Sequence, residues 1–388
     1  MYRIGQEEKD AVARVIDSKE LFKVNGGTLQ ETANFEKEMR EKLNISHAVL
    51  MTSGHAALTS ALTGMGIGPG DEVIVPAYTY IATPMAVVAV GAMPVVAEID
   101  ESLLLDPDDI ENKITERTKA IIPVHMQGYP CNMEAIMNVA KKHNLMVLED
   151  ACQAVGGSFG EKRLGTIGDA GAFSFNYFKV ISAGEGGALL TDDKTIFERG
   201  LIYHDSNAVA YFGNQMENFS TVPFCGEEFR TNEITAAILR EQLKKLDSIL
   251  EDLRKNKKLL MEELAPQFNF IKSNDPDGDC STTLTLKFSS KEEAAKVFEN
   301  SENLVVIPIN TSKHVYTEWD PIINKRGALH PLMNPFNMEA NKHIEYSLDM
   351  CPKSLEILSI TGHVGINPDW TPEEIKAIAK TLKDALNK

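Results

Sequence analysis

The sequence is short of cysteine, has no C-x-x-C pair and carries too little positive charge to balance its acids, and each lack removes a class of function. The five cysteines, Cys131, Cys152, Cys225, Cys280 and Cys351, are scattered, so neither a zinc site nor a disulfide framework is expected. Reduced, mostly buried thiols in a cytoplasmic protein are the expectation, and no metal. Lys and Arg number 39 against 56 Asp and Glu, a formal net charge of -17. That excludes nucleic acid and anionic membranes as main partners, because both need clustered cations. A phosphorylated small ligand stays admissible, since it needs only a pocket of N–H donors and one or two cations. No run approaches the ~18 apolar residues of a membrane span. The start, MYRIGQEEKD, has no apolar signal core. Internal repeats and low-complexity linkers are missing too.

What is present is a strand–helix alternation. Short apolar runs occur at Ala48–Thr52, Glu72–Pro76, Met93–Ile99, Ala120–His125, Leu145–Asp150, Ala170–Phe175 and Gly187–Thr191. They are rich in Val, Ile and Leu without strict alternation, as strands covered on both faces are. Helical patterns at Ala56–Met65, Thr83–Val90, Pro107–Lys113 and Asn132–His143 separate the early ones. This predicts an α/β fold with a mostly parallel, seven-stranded sheet. Glu233–Leu264 reads as a long connecting helix. Beyond it, Thr282–Phe288 and Leu304–Ile309 read as strands, and Thr371-Pro372-Glu373-Glu374 caps a last helix. At 388 residues two domains are expected: a large one over 1–245 and a smaller α+β one over 246–388.

In open parallel sheets ligands bind at the carboxyl ends of the strands. After the first run comes Ser53-Gly54-His55-Ala56, which reads as an anion cradle or as a plain turn. After the second come Tyr78, Thr79 and Tyr80, suited to stacking on a flat ring or to ordinary packing. The fifth ends Glu149-Asp150-Ala151-Cys152-Gln153: Asp150 fits a partner for a cationic ring nitrogen, or a helix cap. Ser174 lies near the end of the sixth run and Lys179 between the last two, in a stretch bounded by Gly168 and Gly184. Desolvation there would lower the lysine's proton affinity and make it a nucleophile or base. Gly64-x-Gly66-x-Gly68-x-Gly70 precedes a strand instead of following one, so it is a helix-to-strand turn and not a dinucleotide fingerprint.

In this order and context these residues resemble the DegT/DnrJ/StrS sugar aminotransferases, of the aspartate-aminotransferase fold (fold type I of the pyridoxal-phosphate enzymes). The resemblance runs from Asn34-Phe35-Glu36 to the last helix and is strongest over 48–192. The stretch from His125 to Gly187 is most similar to aminotransferases that make an amino-octulosonic acid for lipopolysaccharide. The resemblance implies a pyridoxal 5'-phosphate cofactor held by Lys179 as a Schiff base, with Lys179 also moving the proton in transamination. Asp150 would pair with the pyridine nitrogen, Gln153 would meet the phenolic oxygen and Tyr80 would stack on the ring. Gly54, His55, Ala56 and Ser174 would surround the phosphate.

The expected reaction moves an amino group from an amino acid, by analogy L-glutamate, to a keto-sugar or sugar aldehyde that is nucleotide-linked or phosphorylated. A homodimer with its site at the interface is implied. The family's dehydratase branch carries His where Lys179 stands, which favours transamination. A sugar dehydratase, a cyclitol aminotransferase and a catalytically inactive cofactor-binding sensor are the other readings. The family pattern Gly-x-Asn-x-Arg appears here as Gly226-Glu227-Glu228-Phe229-Arg230. Glu228 thus stands where an Asn would reach the neighbouring subunit's cofactor phosphate, and must turn away, be protonated or serve another substrate. His204, Arg230, His314, Tyr316 and His330 are the candidate substrate contacts, and Trp319 is expected to pack.

Overall fold

The computed structural model describes residues 3–23, 27–208 and 220–388. Helices α1 (Gln6–Ser18) and α2 (Glu31–Leu43) precede an alternation of strand and helix. It runs β1 (His47–Met51), α3 (Gly54–Met65), β2 (Glu72–Pro76), α4 (Ala82–Ala89), β3 (Met93–Ala97), α5 (Pro107–Lys113), β4 (Thr118–Ile121), α6 (Met133–His143) and β5 (Met146–Asp150). A small hairpin, β6 (Ser158–Phe159) and β7 (Lys162–Arg163), leads to β8 (Ala170–Ser174), β9 (Gly187–Thr191) and α7 (Lys194–His204). The seven long strands form one sheet in the order β1-β9-β8-β5-β4-β2-β3. Only β9 is reversed, being antiparallel to both β8 and β1. The remaining neighbours pair in parallel, so six strands point their carboxyl ends at one edge.

Successive strand residues face opposite sides. In β1, Val49 and Met51 join a core with α3–α6, while Ala48 and Leu50 join a second core with the long helix α8 (Glu233–Leu264). Both faces are therefore covered, which is why these strands read as continuous apolar runs. The Asn232 side chain caps α8, and Leu239, Leu243, Leu246, Leu250, Leu253 and Leu260 line its buried stripe. The helix passes unbroken through the expected boundary at 245/246.

The rest of the chain builds a three-stranded sheet from β10 (Asn269–Phe270), β11 (Thr283–Lys287) and β12 (Thr361–Gly365). Helices α9 (Lys291–Asn300), α10 (Asp320–Ile323), α11 (Pro352–Ser359) and α12 (Pro372–Asn387) accompany it. The Thr371–Glu374 capping box starts α12, as its sequence implies. Leu304–Ile309 is not a strand. It makes a single bridge, Val306 to His363, and then Pro308 opens a 3₁₀ turn. Pro308 has no N–H to continue a ladder.

Candidate functional site

Four carboxyl ends of the large sheet supply the site. The turn after β1 begins α3, where the Ser53 hydroxyl caps the helix by accepting from the Ala56 N–H at 3.1 Å. Ala56 therefore spends its N–H on the cap. Gly54 and His55, the first two helical residues, have no acceptor for their N–H groups within the helix, and such a helix start favours an anion. A side chain at Gly54 would meet Cys152 Sγ at 2.7 Å and Ser174 Cβ at 2.9 Å. The glycine thus lets the turn pack against the ends of β5 and β8, bringing the buried Ser174 hydroxyl to the same place. The His55 ring is half-buried, with Nδ1 3.2 Å from the Ala82 carbonyl. Burial pushes its proton affinity down, so it is neutral, and Nδ1–H is committed to Ala82. Its Nε2 is then an acceptor, and the backbone N–H is what His55 offers a phosphate.

Asp150 ends β5 and is 5% exposed. Its Oδ2 accepts from the Thr83 hydroxyl at 2.7 Å and its Oδ1 from the Cys152 N–H at 3.1 Å. The Thr79 hydroxyl lies 2.8 Å from that of Thr83. Two fixed donors set the carboxylate plane at the strand end. One residue earlier, Glu149 is fully buried and accepts from His125 Nε2 and from the N–H groups of Gly165, Ile167 and Gly168. A buried carboxylate satisfied this fully anchors the strand end instead of acting on a ligand. Gln153 Oε1 accepts from the Gln127 N–H at 3.0 Å, which fixes its amide beside the tight turn at Gln127 and Gly128.

Lys179 lies beyond β8 in a turn closed by its N–H to the Asn176 carbonyl, 3.0 Å. Its side chain is half-buried, so one chain alone does not supply the full desolvation expected from its apolar flanks. Its ammonium has no hydrogen-bond or ion-pair partner among the described residues. It is within electrostatic reach of both the Cys152 thiol and the His314 ring, between the cradle and the small-domain loop. Tyr80, 41% exposed, has its ring centroid 5.5 Å from that of His314. The structure thus brings Gly54, His55, Ser174, Asp150, Gln153, Lys179, Tyr80 and His314 to one edge of the sheet.

The other candidates lie apart from it or serve packing. Glu228 turns to Arg230, Oε2 to Nη2 2.6 Å, and Arg230 also donates to the Asp205 carbonyl and sits over the Phe22 ring. His204 is fully buried: Nδ1 donates to the Leu201 carbonyl and Nε2 faces Lys23 at 3.3 Å. Burial, then the Lys23 charge, drives its proton affinity far down. Tyr316 is buried and donates to the Leu348 carbonyl, and Trp319 is buried too. His330 is exposed, with Nδ1 accepting from the Leu332 N–H. Sequence reasoning missed Thr83, Gln127, Lys313 and His363, whose Nε2 lies 2.9 Å from the hydroxyl of the buried Tyr78. A threonine five residues beyond Tyr78, at the first turn of a helix leaving a strand end, was the one available signal.

A family model described as the DegT/DnrJ/EryC1/StrS aminotransferase family matches residues 2–321. The chain is 39% identical over 270 residues to the spore coat polysaccharide biosynthesis protein SpsC of Bacillus subtilis, covering 68% of this chain and 66% of that one. It is 38% identical over 253 residues to the GDP-perosamine synthase of Caulobacter vibrioides, covering 64% of each. These matches span just under two thirds of those relatives' own lengths. Among solved structures, an aminotransferase from Psychrobacter cryohalolentis superposes with a TM-score of 0.81 at 26% identity, covering 99% of this chain and 97% of that one.

Proposed function

Because the chain belongs to the DegT/DnrJ/EryC1/StrS aminotransferase family, we propose that it transfers an amino group from an amino acid, L-glutamate first among donors, to a keto-sugar or sugar aldehyde. The observation that carries the reading is the placement of Asp150 and Lys179. Asp150 is a buried carboxylate oriented by Thr83 and the Cys152 N–H, and Lys179, beyond the adjacent strand, has no ion-pair partner among the described residues. The cradle at Gly54 and Ser174 beside them fits a phosphate, and a Cβ at Gly54 would clash with Cys152 and Ser174 there. These residues fit pyridoxal 5'-phosphate.

When bound, pyridoxal 5'-phosphate supplies an electron sink for the carbon that gains or loses a proton. The protein supplies the rest. The Gly54 and His55 N–H groups and the Ser174 hydroxyl would hold the phosphate. Asp150 would keep a proton on the ring nitrogen, with Gln153 and Tyr80 beside the ring. Lys179 Nζ would hold the cofactor covalently and move the proton during transfer.

SpsC and GDP-perosamine synthase point to a nucleotide-linked sugar destined for a surface polysaccharide, and an eight-carbon acidic sugar belongs in the same substrate panel. A cytoplasmic site of action is supported by five free cysteines. A homodimer with its site at the interface is supported by exposed Tyr177 and Phe178 beside Lys179, and by exposed Leu329, Leu332 and Met333.

The test is the visible spectrum of the protein with pyridoxal 5'-phosphate, before and after L-glutamate, beside Lys179→Ala. A Lys179-dependent band that L-glutamate bleaches is the expected result. A band that no amino donor bleaches removes the transaminase reading.

A further inference from the structure

We propose that Lys313 and His314 form a carboxylate-recognition edge over Tyr80, so that both substrates of the transfer present an acidic group there. The proposal rests on the transaminase reading and names the chemistry that the same site selects.

The backbone placement is fixed. Residues 313–316 lie along the exit of β2 as a short antiparallel ladder. The Ile81 N–H donates to the Lys313 carbonyl at 2.9 Å, Thr79 N–H to the His314 carbonyl at 2.9 Å and Tyr316 N–H to the Ala77 carbonyl at 3.0 Å. The buried Trp319 indole donates to the Lys313 carbonyl as well, at 3.2 Å. Val315 between them is fully buried. The ladder fixes the backbone there, and from it the exposed Lys313 side chain lies with its ammonium 5.2 Å from the Tyr80 ring centroid and the His314 ring lies 5.5 Å from it.

The charge there is unbalanced. The protein carries a net -17, yet Lys313 has no acidic partner among the described residues. Lys179 also lacks one, but it is committed to the cofactor. Lys313 is the cation left over at the ring face. His314 donates Nδ1–H to the Thr311 carbonyl at 3.2 Å, which orients its ring. Burial pushes the proton affinity of His314 down, the bond to Thr311 opposes this, and the charges of Lys313 and Lys179 push it down further. An unpaired ammonium beside a flat aromatic face and an oriented imidazole is a receptor for a carboxylate. In a two-step transfer the same edge meets the donor amino acid first and the sugar second. It therefore selects an acceptor with an acid function near the reacting carbon.

The experiment uses the holoenzyme and glutarate, a dicarboxylate that cannot react. Binding is followed by calorimetry and by displacement of the visible band, in wild type, Lys313→Ala and Lys313→Arg, with inorganic phosphate as the competing arm. Lys313→Ala is expected to weaken glutarate about tenfold, the size of one charge-assisted contact. Lys313→Arg should keep affinity within about threefold, and the resting band should be the same in all three. L-Glutamate then serves as the reactive probe. Its half-saturating concentration should rise in Lys313→Ala while the limiting rate of amino transfer holds. Glutarate affinity unchanged by Lys313→Ala, or displacement by phosphate but not by glutarate, overturns the proposal. Failure of the transaminase reading looks different: wild type itself then shows no band that depends on Lys179.

Discussion

The Thr83 hydroxyl donates to Asp150 Oδ2 at 2.7 Å, with the Thr79 hydroxyl 2.8 Å behind it. The bond joins the first turn of α4 to the carboxyl end of β5, so the aspartate's orientation is fixed by a different element from the one that carries it. Thr83→Val keeps the shape and removes the donor, leaving a buried carboxylate one bond short. Hydrogen bonds to charged groups contribute ~1.5–3 kcal/mol, which is about 10- to 100-fold in rate if the bond serves the transition state. Single-turnover amino transfer from L-glutamate should fall by that factor in Thr83→Val and recover in Thr83→Ser. An unchanged rate in Thr83→Val would leave the hydroxyl with a packing role only.

The cradle makes its own prediction. Gly54→Ala forces a Cβ to within 2.7 Å of Cys152 Sγ and 2.9 Å of Ser174 Cβ, so the start of α3 must move away from the end of β8. That widens the phosphate site while the two cores stay intact. Equilibrium dialysis of the apoprotein should show pyridoxal 5'-phosphate held about tenfold more weakly, equivalent to one lost charge-assisted hydrogen bond. Tight binding in a folded Gly54→Ala protein would place the phosphate elsewhere.

The fold was legible because apolar runs and helical periodicity mark covered strands and their crossovers directly. Glu72–Pro76, Gly187–Thr191 and Glu233–Leu264 have the bounds their patterns imply. Leu304–Ile309 misled because an apolar run carries no information on whether a partner strand is in reach, and Pro308 ends the ladder after one bridge. At the site, strand ends exposed Asp150, Ser174 and Lys179 to inspection one at a time. Lys313 escaped because nothing local in its neighbourhood points to Tyr80. Only the ladder between 77–81 and 313–316 joins them, and such pairing is a long-range property. His204 misled for the converse reason: a histidine at a helix end looks available, but Lys23 reaches across from the N-terminal segment and buries it.

Glu228 stands where the resemblance implies an Asn, and the structure pairs it with Arg230 at 2.6 Å. The carboxylate is half-exposed, and exposed ion pairs contribute only about 0–1 kcal/mol. Glu228→Asn should therefore shift the urea midpoint by no more than that and leave cofactor affinity within about threefold. Arg230→Ala is the more damaging change, because it frees the carboxylate and also removes the bond to the Asp205 carbonyl and the contact with Phe22. A large gain in cofactor affinity in Glu228→Asn would mean that the acid faces a phosphate after all.

Acid should loosen the tie between the two sheets. The Tyr78 hydroxyl at the end of β2 lies 2.9 Å from His363 Nε2 on β12, and His363 Nδ1 is 2.9 Å from the Thr285 hydroxyl on β11. Burial, and then the neighbouring His314, push the His363 pKa from 6.5 down to about 3. The unfolded chain thus takes up a proton near pH 6.5 that the folded chain refuses until about pH 3. Stability from this group is complete above pH 6.5 and is lost progressively as pH falls toward 3. The loss is about 1.4 kcal/mol for each pH unit. His204 and His55 are depressed in the same direction and steepen the slope. His363→Gln keeps a group able to hydrogen-bond Tyr78 and cannot titrate. Urea melts between about pH 7 and pH 5 should then show a dependence shallower by one proton than wild type. Parallel curves would show that His363 titrates alike in the folded and unfolded chain, and that Tyr78 and Thr285 do not hold it neutral.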